Sequence, residues 1–203
     1  TEPFEIVRTL QEAKDAFDLE QIVDLYDGCV RRFDEEVRRI AEHLAACNLE
    51  RNTIFVIYSD HGMEFFERDT WGQGNSVVVD DSARIPLIIR APGHAPGVVR
   101  HITRSIDVAP TLLELVGLTP PAAMDGVSLV PYIDHPETDL DLPAYTETGI
   151  WFAKLPGISD QHLFYPNLPE LLEVPNKKHG SLAVKREFQN LIVVAKDRMI
   201  RTG

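Results

Sequence analysis

Thr53-Ile54-Phe55-Val56-Ile57-Tyr58-Ser59-Asp60-His61-Gly62 runs from an apolar strand into a polar tip. Its first six residues are β-branched, aromatic or aliphatic without a break, the pattern of a strand buried on both faces. An acid, an imidazole and a glycine then follow in order. In open α/β sheets, ligands sit just beyond the carboxyl ends of the strands. A carboxylate beside a neutral imidazole there suits a hard or borderline divalent cation. Gly62 lets the backbone turn sharply behind them. An ordinary polar loop, with Asp60 capping the next helix, explains the same letters, and the stretch alone leaves both readings open.

Upstream, residues 19 to about 49 carry the longest regular signal. Leu19, Ile22, Val23, Tyr26, Val30, Phe33, Val37, Ile40, Ala41 and Leu44 recur at steps of three and four, with charged residues between them. This spacing predicts an amphipathic helix with one buried stripe. Asp18 is its expected N-cap and Asn48 its expected stop. Gly28 costs about 1 kcal/mol inside a helix, so close packing against another backbone is expected there. The charges read as a solvated face with ion pairs one turn apart. Cys29 and Cys47, about 27 Å apart along such a helix, are too far apart for a disulfide. They are expected to be free, core-facing thiols. Residues 9–17 read as a turn or two of helix.

Downstream, Trp71-Gly72-Gln73-Gly74-Asn75-Ser76 is a Gly-rich loop suited to close approach of a ligand. A second strand follows at Leu87-Ile88-Ile89-Arg90, with Pro86 where a strand can begin. His94, in a turn-rich loop, is read as solvent-facing. Residues 98–104 suggest a short strand. Residues 107–117 read as a helix capped by Asp107 and stopped by Gly117. Asp125-Gly126 marks a turn. Residues 143–148, 181–185 and 190–201 look like strands, the last with a hairpin turn at 196–198.

Composition narrows the function classes. A net charge of −12 argues against a nucleic-acid partner, since phosphate backbones need Lys and Arg. No apolar run approaches the ~20 residues of a membrane helix. Thr1-Glu2-Pro3-Phe4 has neither a basic n-region nor an apolar h-region, so no signal peptide is visible, and the expected location is cytoplasmic.

With these segments in order, the chain resembles the sulfatase branch of the alkaline-phosphatase superfamily. The resemblance rests on Ser59-Asp60-His61-Gly62 after an apolar strand, on the long helix before it, and on the loop around Gln73. It also rests on Arg84-Ile85-Pro86-Leu87-Ile88-Ile89-Arg90, Asp107-Val108-Ala109-Pro110-Thr111-Leu112-Leu113 and Asp125-Gly126-Val127-Ser128-Leu129. Any one segment is weak; six in the family's order make a chance match unlikely.

The resemblance implies an α/β fold, a three-layer α/β/α sandwich present in part. Residues 1–136 would belong to the core and 137–203 to a partial C-terminal subdomain with an antiparallel sheet. It implies Asp60 and His61 as ligands of a divalent metal, Ca²⁺ or, given His61, Mn²⁺ or Zn²⁺. Gln73 would contact the substrate where the family usually has Lys or His. The implied substrate is a small-molecule sulfate ester. A phosphodiesterase or phosphonate monoester hydrolase is the alternative that His61 favours, and a non-catalytic binding domain the one that Gln73 favours. The family's nucleophile sits in a Cys/Ser-x-Pro-x-Arg motif that no Cys or Ser of this sequence matches. The chain is therefore expected to be an internal to C-terminal fragment with no catalytic nucleophile of its own, inactive alone and able to self-associate through exposed apolar surface.

Overall fold

The computed structural model describes residues 18–67, 71–73, 79–148, 168–178, 180–190 and 198–203. In chain order the helices are α1 (Leu19–Ala46), α2 (Asp80–Ala83), α3 (Val108–Leu115), α4 (Val130–Asp134) and α5 (Leu168–Leu171). The strands are β1 (Phe55–Tyr58), β2 (Glu64–Phe65), β3 (Trp71–Gly72), β4 (Leu87–Arg90), β5 (Ala144–Glu147), β6 (Leu172–Glu173), β7 (Ala183–Val184) and β8 (Arg198–Arg201). The expected mixed α/β class holds. Two compact units divide the chain: Leu25–His61 with Arg84–Thr146 and Met199–Gly203, and Thr1–Asp24 with Gly62–Ala83 and Glu147–Arg198.

Both ends of α1 are set by the residues expected to set them. Asp18 Oδ1 accepts the Gln21 amide at 3.0 Å, an N-cap bond to the third helical residue. At the far end Asn48 takes a left-handed φ of 57°. Leu49 N then donates to Leu44 O at 2.8 Å and Asn48 N to Ala45 O at 3.0 Å, the paired bonds of a Schellman stop. On the polar face Arg38 bridges Glu35 and Glu42, each at 2.6 Å, and Arg39 meets Glu36 at 2.9 Å.

The expected burial of α1 fails. None of its residues is buried, and Cys29 and Cys47 are free but exposed rather than core-facing. Gly28 has nothing within 4 Å of where a Cβ would stand, so no backbone packs on it. The period of apolar residues fixes which side of a helix is apolar, whereas burial needs a second element to lie on that side.

β1 pairs antiparallel with β4, Phe55 opposite Arg90 and Tyr58 opposite Leu87. The strand expected to be buried on both faces is only half-buried, and Tyr58 is 54% exposed. Among the described residues the ladder is two-stranded, which is too narrow to cover either face. Pro86 stands just ahead of β4, so its missing N–H breaks no ladder bond. Residues 98–104 form no strand.

The densest part of this unit joins α3, α4 and the segment between them, where Asp107, Val108, Thr111, Leu129 and Tyr132 are all buried. Asp107 does not cap α3 with its side chain. Its Oδ2 accepts Arg104 N and Nε, both at 3.0 Å, and its Oδ1 accepts Arg104 Nη2 at 2.7 Å and Val127 N at 2.9 Å. Thr111 Oγ1 donates to Asp107 O at 2.5 Å and accepts Leu129 N at 2.8 Å. A Cβ on Gly126 would overlap Ile106 O. The two motifs around Asp107 and Asp125 are thus one hydrogen-bonded latch. Gly117, at φ 78°, ends α3 as expected.

In the other unit β2 pairs with β3, Glu64 opposite Gly72, and β6 with β7, Leu172 opposite Val184. Leu171 is fully buried, and its carbonyl accepts Lys185 N at 3.0 Å. β5 pairs with β8. The strands expected at residues 143–148 and 181–185 are present as β5 and β7, and the end of 190–201 as β8. The expected helix at 9–17, the loop from Gly74 to Ser76 and the turn residues 196–197 lie outside the described residues.

Candidate functional site

Beyond Tyr58 the chain leaves the ladder and three side chains fold back on the tip. Ser59 Oγ donates to His61 O at 2.7 Å. Asp60 Oδ1 accepts the amide of His61 at 3.1 Å. These bonds turn the Asp60 carboxylate toward its neighbour's ring, and Asp60 Oδ2 lies 3.6 Å from His61 Nε2. The Asp60 side chain is 87% exposed and that of His61 38%. Asp60 therefore caps no helix here.

The pair fits a metal ion. Two donors each about 2.1 Å from a tetrahedral ion stand about 3.4 Å apart, close to the observed separation. One oxygen and one imidazole nitrogen make a borderline donor pair, of the kind that Mn²⁺ and Zn²⁺ accept. Among the described residues no group of three His, Cys, Asp or Glu side chains is arranged to hold a metal, so the pair supplies two ligands and not a complete shell.

Gly62 is required for a reason the sequence does not show. Its amide donates to Ser82 O at 2.8 Å, and a Cβ would overlap Asp81 O. The glycine is there for close approach to α2, and its φ is not among the positive ones. Gln73 is exposed and follows Gly72, whose φ is 113°. Asp60 and His61 are brought together; Gln73 belongs to the other unit.

Two features escape sequence reading. Glu64 is 1% exposed, and among the described residues neither carboxylate oxygen has a hydrogen-bond partner. Its place before Phe65 and Phe66 is the only hint of burial in the letters. In the other unit a cavity of about 990 Å³ lies between Glu50 and Arg51, ahead of β1, and the loop after β4. His94 in that loop is not solvent-facing but held at 2.7 Å by Asp134, its side chain 25% exposed. His101, also lining the cavity, stacks on Tyr132 with centroids 5.6 Å apart. Neither Asp60 nor His61 lines this cavity. Among the described residues no helix is long and apolar enough to cross a membrane.

The sulfatase family profile matches residues 3–118. Choline-sulfatase of Rhizobium meliloti (strain 1021) is 36% identical over 115 residues, which are 55% of this chain and 22% of that protein. The multifunctional alkaline phosphatase superfamily protein PehA of Trinickia caryophylli is 32% identical over 123 residues, 59% of this chain and 23% of its own length. Phosphonate monoester hydrolase SpPMH from Silicibacter pomeroyi superposes with a TM-score of 0.52 at 38% identity, covering 57% of this chain and 23% of that one. The chain thus spans about a quarter of the length of these relatives and shares their alkaline-phosphatase-like fold. The profile covers more than half of the chain, and the six segments in family order lie within or just beyond it: the protein belongs to the sulfatase family.

Proposed function

We propose that the protein takes part in metal-assisted hydrolysis of small-molecule sulfate esters, with Asp60 Oδ2 and His61 Nε2 as two ligands of a divalent cation. The reading is carried by the 3.6 Å approach of those two atoms at the tip of β1. When bound, such a cation neutralises charge on the non-bridging oxygens of the ester. Asp60 keeps Oδ1 on the His61 amide, which orients Oδ2 for the ion. Gln73 donates a side-chain amide hydrogen bond to the anion or leaving group and brings no charge. No Cys or Ser here precedes x-Pro-x-Arg, so these 203 residues alone lack the family's nucleophile and are proposed to be a catalytically incomplete part of the domain.

His61 also favours a second reading, hydrolysis of phosphonate or phosphodiester substrates with Mn²⁺ or Zn²⁺ rather than Ca²⁺. The likeness to a protein described as a phosphonate monoester hydrolase supports it.

The test is Mn²⁺ titration of the chain, read by paramagnetic broadening of the His61 ring protons. His61 broadens first, and Asp60→Asn or His61→Ala weakens uptake at least tenfold. Undiminished Mn²⁺ uptake by both variants refutes the metal assignment. Turnover of an aryl sulfate by the 203-residue chain refutes the claim that it is incomplete.

A further inference from the structure

The last turn of α1 brings together two side chains that neither the latch nor the β1 tip uses. Cys47 Sγ stands 3.7 Å from His43 Nε2, and both residues are exposed. The backbone sets the pair. Cys47 N donates to His43 O at 3.0 Å, so helical geometry runs one residue past Ala46. The two side chains therefore leave one face of the helix, one turn apart. Asn48 then takes its left-handed φ of 57° and ends the helix directly behind them.

Two ligating residues four apart on a helix form a chelate, the spacing by which two histidines of one helix hold zinc. With sulfur about 2.3 Å and an imidazole nitrogen about 2.1 Å from a tetrahedral ion, the two donors stand about 3.6 Å apart. The observed separation of 3.7 Å is close to that. The helix end adds to it, because the carbonyls of a last turn carry partial negative charge and favour a cation. Donor type sets the choice of ion. A thiolate with an imidazole is a softer pair than the carboxylate and imidazole at the β1 tip, and it selects Zn²⁺ over Mg²⁺, Ca²⁺ or Mn²⁺. Cys29 is the contrast. It is exposed too, but four residues to either side stand Leu25 and Phe33, neither of which can ligate.

We infer that His43 and Cys47 form a two-ligand site for a thiophilic divalent ion of the Zn²⁺ class, separate from the Asp60–His61 pair. The ion takes the lone pair of His43 Nε2, whose ring keeps its proton on Nδ1, and the thiolate of Cys47. The thiol proton passes to the buffer as the metal–sulfur bond forms. Water fills the other two tetrahedral positions. The site does not rest on the proposed function, since no substrate or reaction enters it.

The probe is Cd²⁺, which takes the same donors and shows a thiolate-to-metal charge-transfer band in the ultraviolet. The 203-residue chain, reduced with a phosphine, is titrated with Cd²⁺ while the band is followed. The band is expected to appear, and Zn²⁺ but not Ca²⁺ to displace it. Cys47→Ser abolishes it, and His43→Ala weakens uptake at least tenfold. Cys29→Ser and Asp60→Asn leave uptake within twofold, the second because the β1 tip offers no thiolate. Absence of the band overturns the inference. Uptake unchanged by His43→Ala, or lost with Cys29→Ser, also overturns it, since the ion then sits on a single thiol. If a variant fails to fold, the wild-type chain still decides: the His43 ring protons must shift in step with the band, and unshifted ring protons overturn the inference.

Discussion

Arg104 wraps the Asp107 carboxylate with three donors, from its own amide and from two guanidinium nitrogens, at 2.7–3.0 Å. Asp107 has no exposed side-chain surface, and Arg104 has 16%. The hydrogen bonds that the Arg104 guanidinium donates to the Asp107 carboxylate raise its pKa from the ordinary value. Removing one partner of a buried pair costs about 3–5 kcal/mol, because the other charge is left uncompensated. Asp107→Ala is therefore expected to lower stability by about 3 kcal/mol in urea unfolding, with Arg104 able to reach solvent. A loss under 1 kcal/mol would mean that the pair is not formed in solution.

Thr111 is expected to separate hydrogen bonding from packing. Thr111→Val keeps the shape but strips partners from Asp107 O and Leu129 N, each worth about 1–3 kcal/mol when buried. Thr111→Ser keeps both bonds and loses one methyl, about 1 kcal/mol. Amide exchange at Leu129 should quicken in the Val variant and not in the Ser variant.

Glu64 carries a buried carboxylate with no hydrogen-bond partner among the described residues. Burying a polar group without compensation costs about 1–3 kcal/mol on mutational scales. Glu64→Met, close in volume and without the carboxylate, should raise the thermal midpoint. A lower midpoint would show that the carboxylate is engaged.

Gly62→Ala should act on the tip rather than on the fold as a whole. A methyl there collides with the backbone of Asp81, so the segment behind His61 must move. Mn²⁺ affinity is expected to fall at least tenfold. Asp60→Asn, at a largely exposed side chain, should leave stability within about 0.5 kcal/mol. Thermal melts with and without Mn²⁺ read both effects.

The Glu35 carboxyl is held below its ordinary range by the hydrogen bond from Arg38, and secondarily by its charge. A lowered folded-state value stabilises above the unfolded value, about 4.3, and that stabilisation fades as pH falls through the folded value. Helicity by circular dichroism should drop on acidification, and by less in Arg38→Gln. Identical acid profiles would rule out a contribution from the pair.

Local chemistry was written in the sequence; long-range partners were not. Asp18 and Asn48 mark the ends of α1 because caps depend on a few neighbouring residues. The polar tip after β1 is equally legible, and Asp60 and His61 do meet. Cys29 and Gly28 mislead because burial depends on whether another element packs on α1, which the spacing of its own residues does not encode. His94 misleads because its partner, Asp134, lies 40 residues away. Asp107 has the letters of a helix cap, yet Arg104 and Val127 claim both of its oxygens. Glu64 reads as one more polar residue because only the two phenylalanines after it, Phe65 and Phe66, hint that it is buried.

The latch between α3 and α4 has a practical corollary for engineering. Val127 and Leu129 are tied to Asp107 and Thr111, so the stretch from Leu118 to Asp125 is a loop pinned at both bases. Its residues are nearly all at the surface. Closing a longer loop costs little, about 0.6 kcal/mol per doubling of length. An epitope or reporter peptide spliced between Ala122 and Ala123 should therefore be displayed without disturbing the β1 tip.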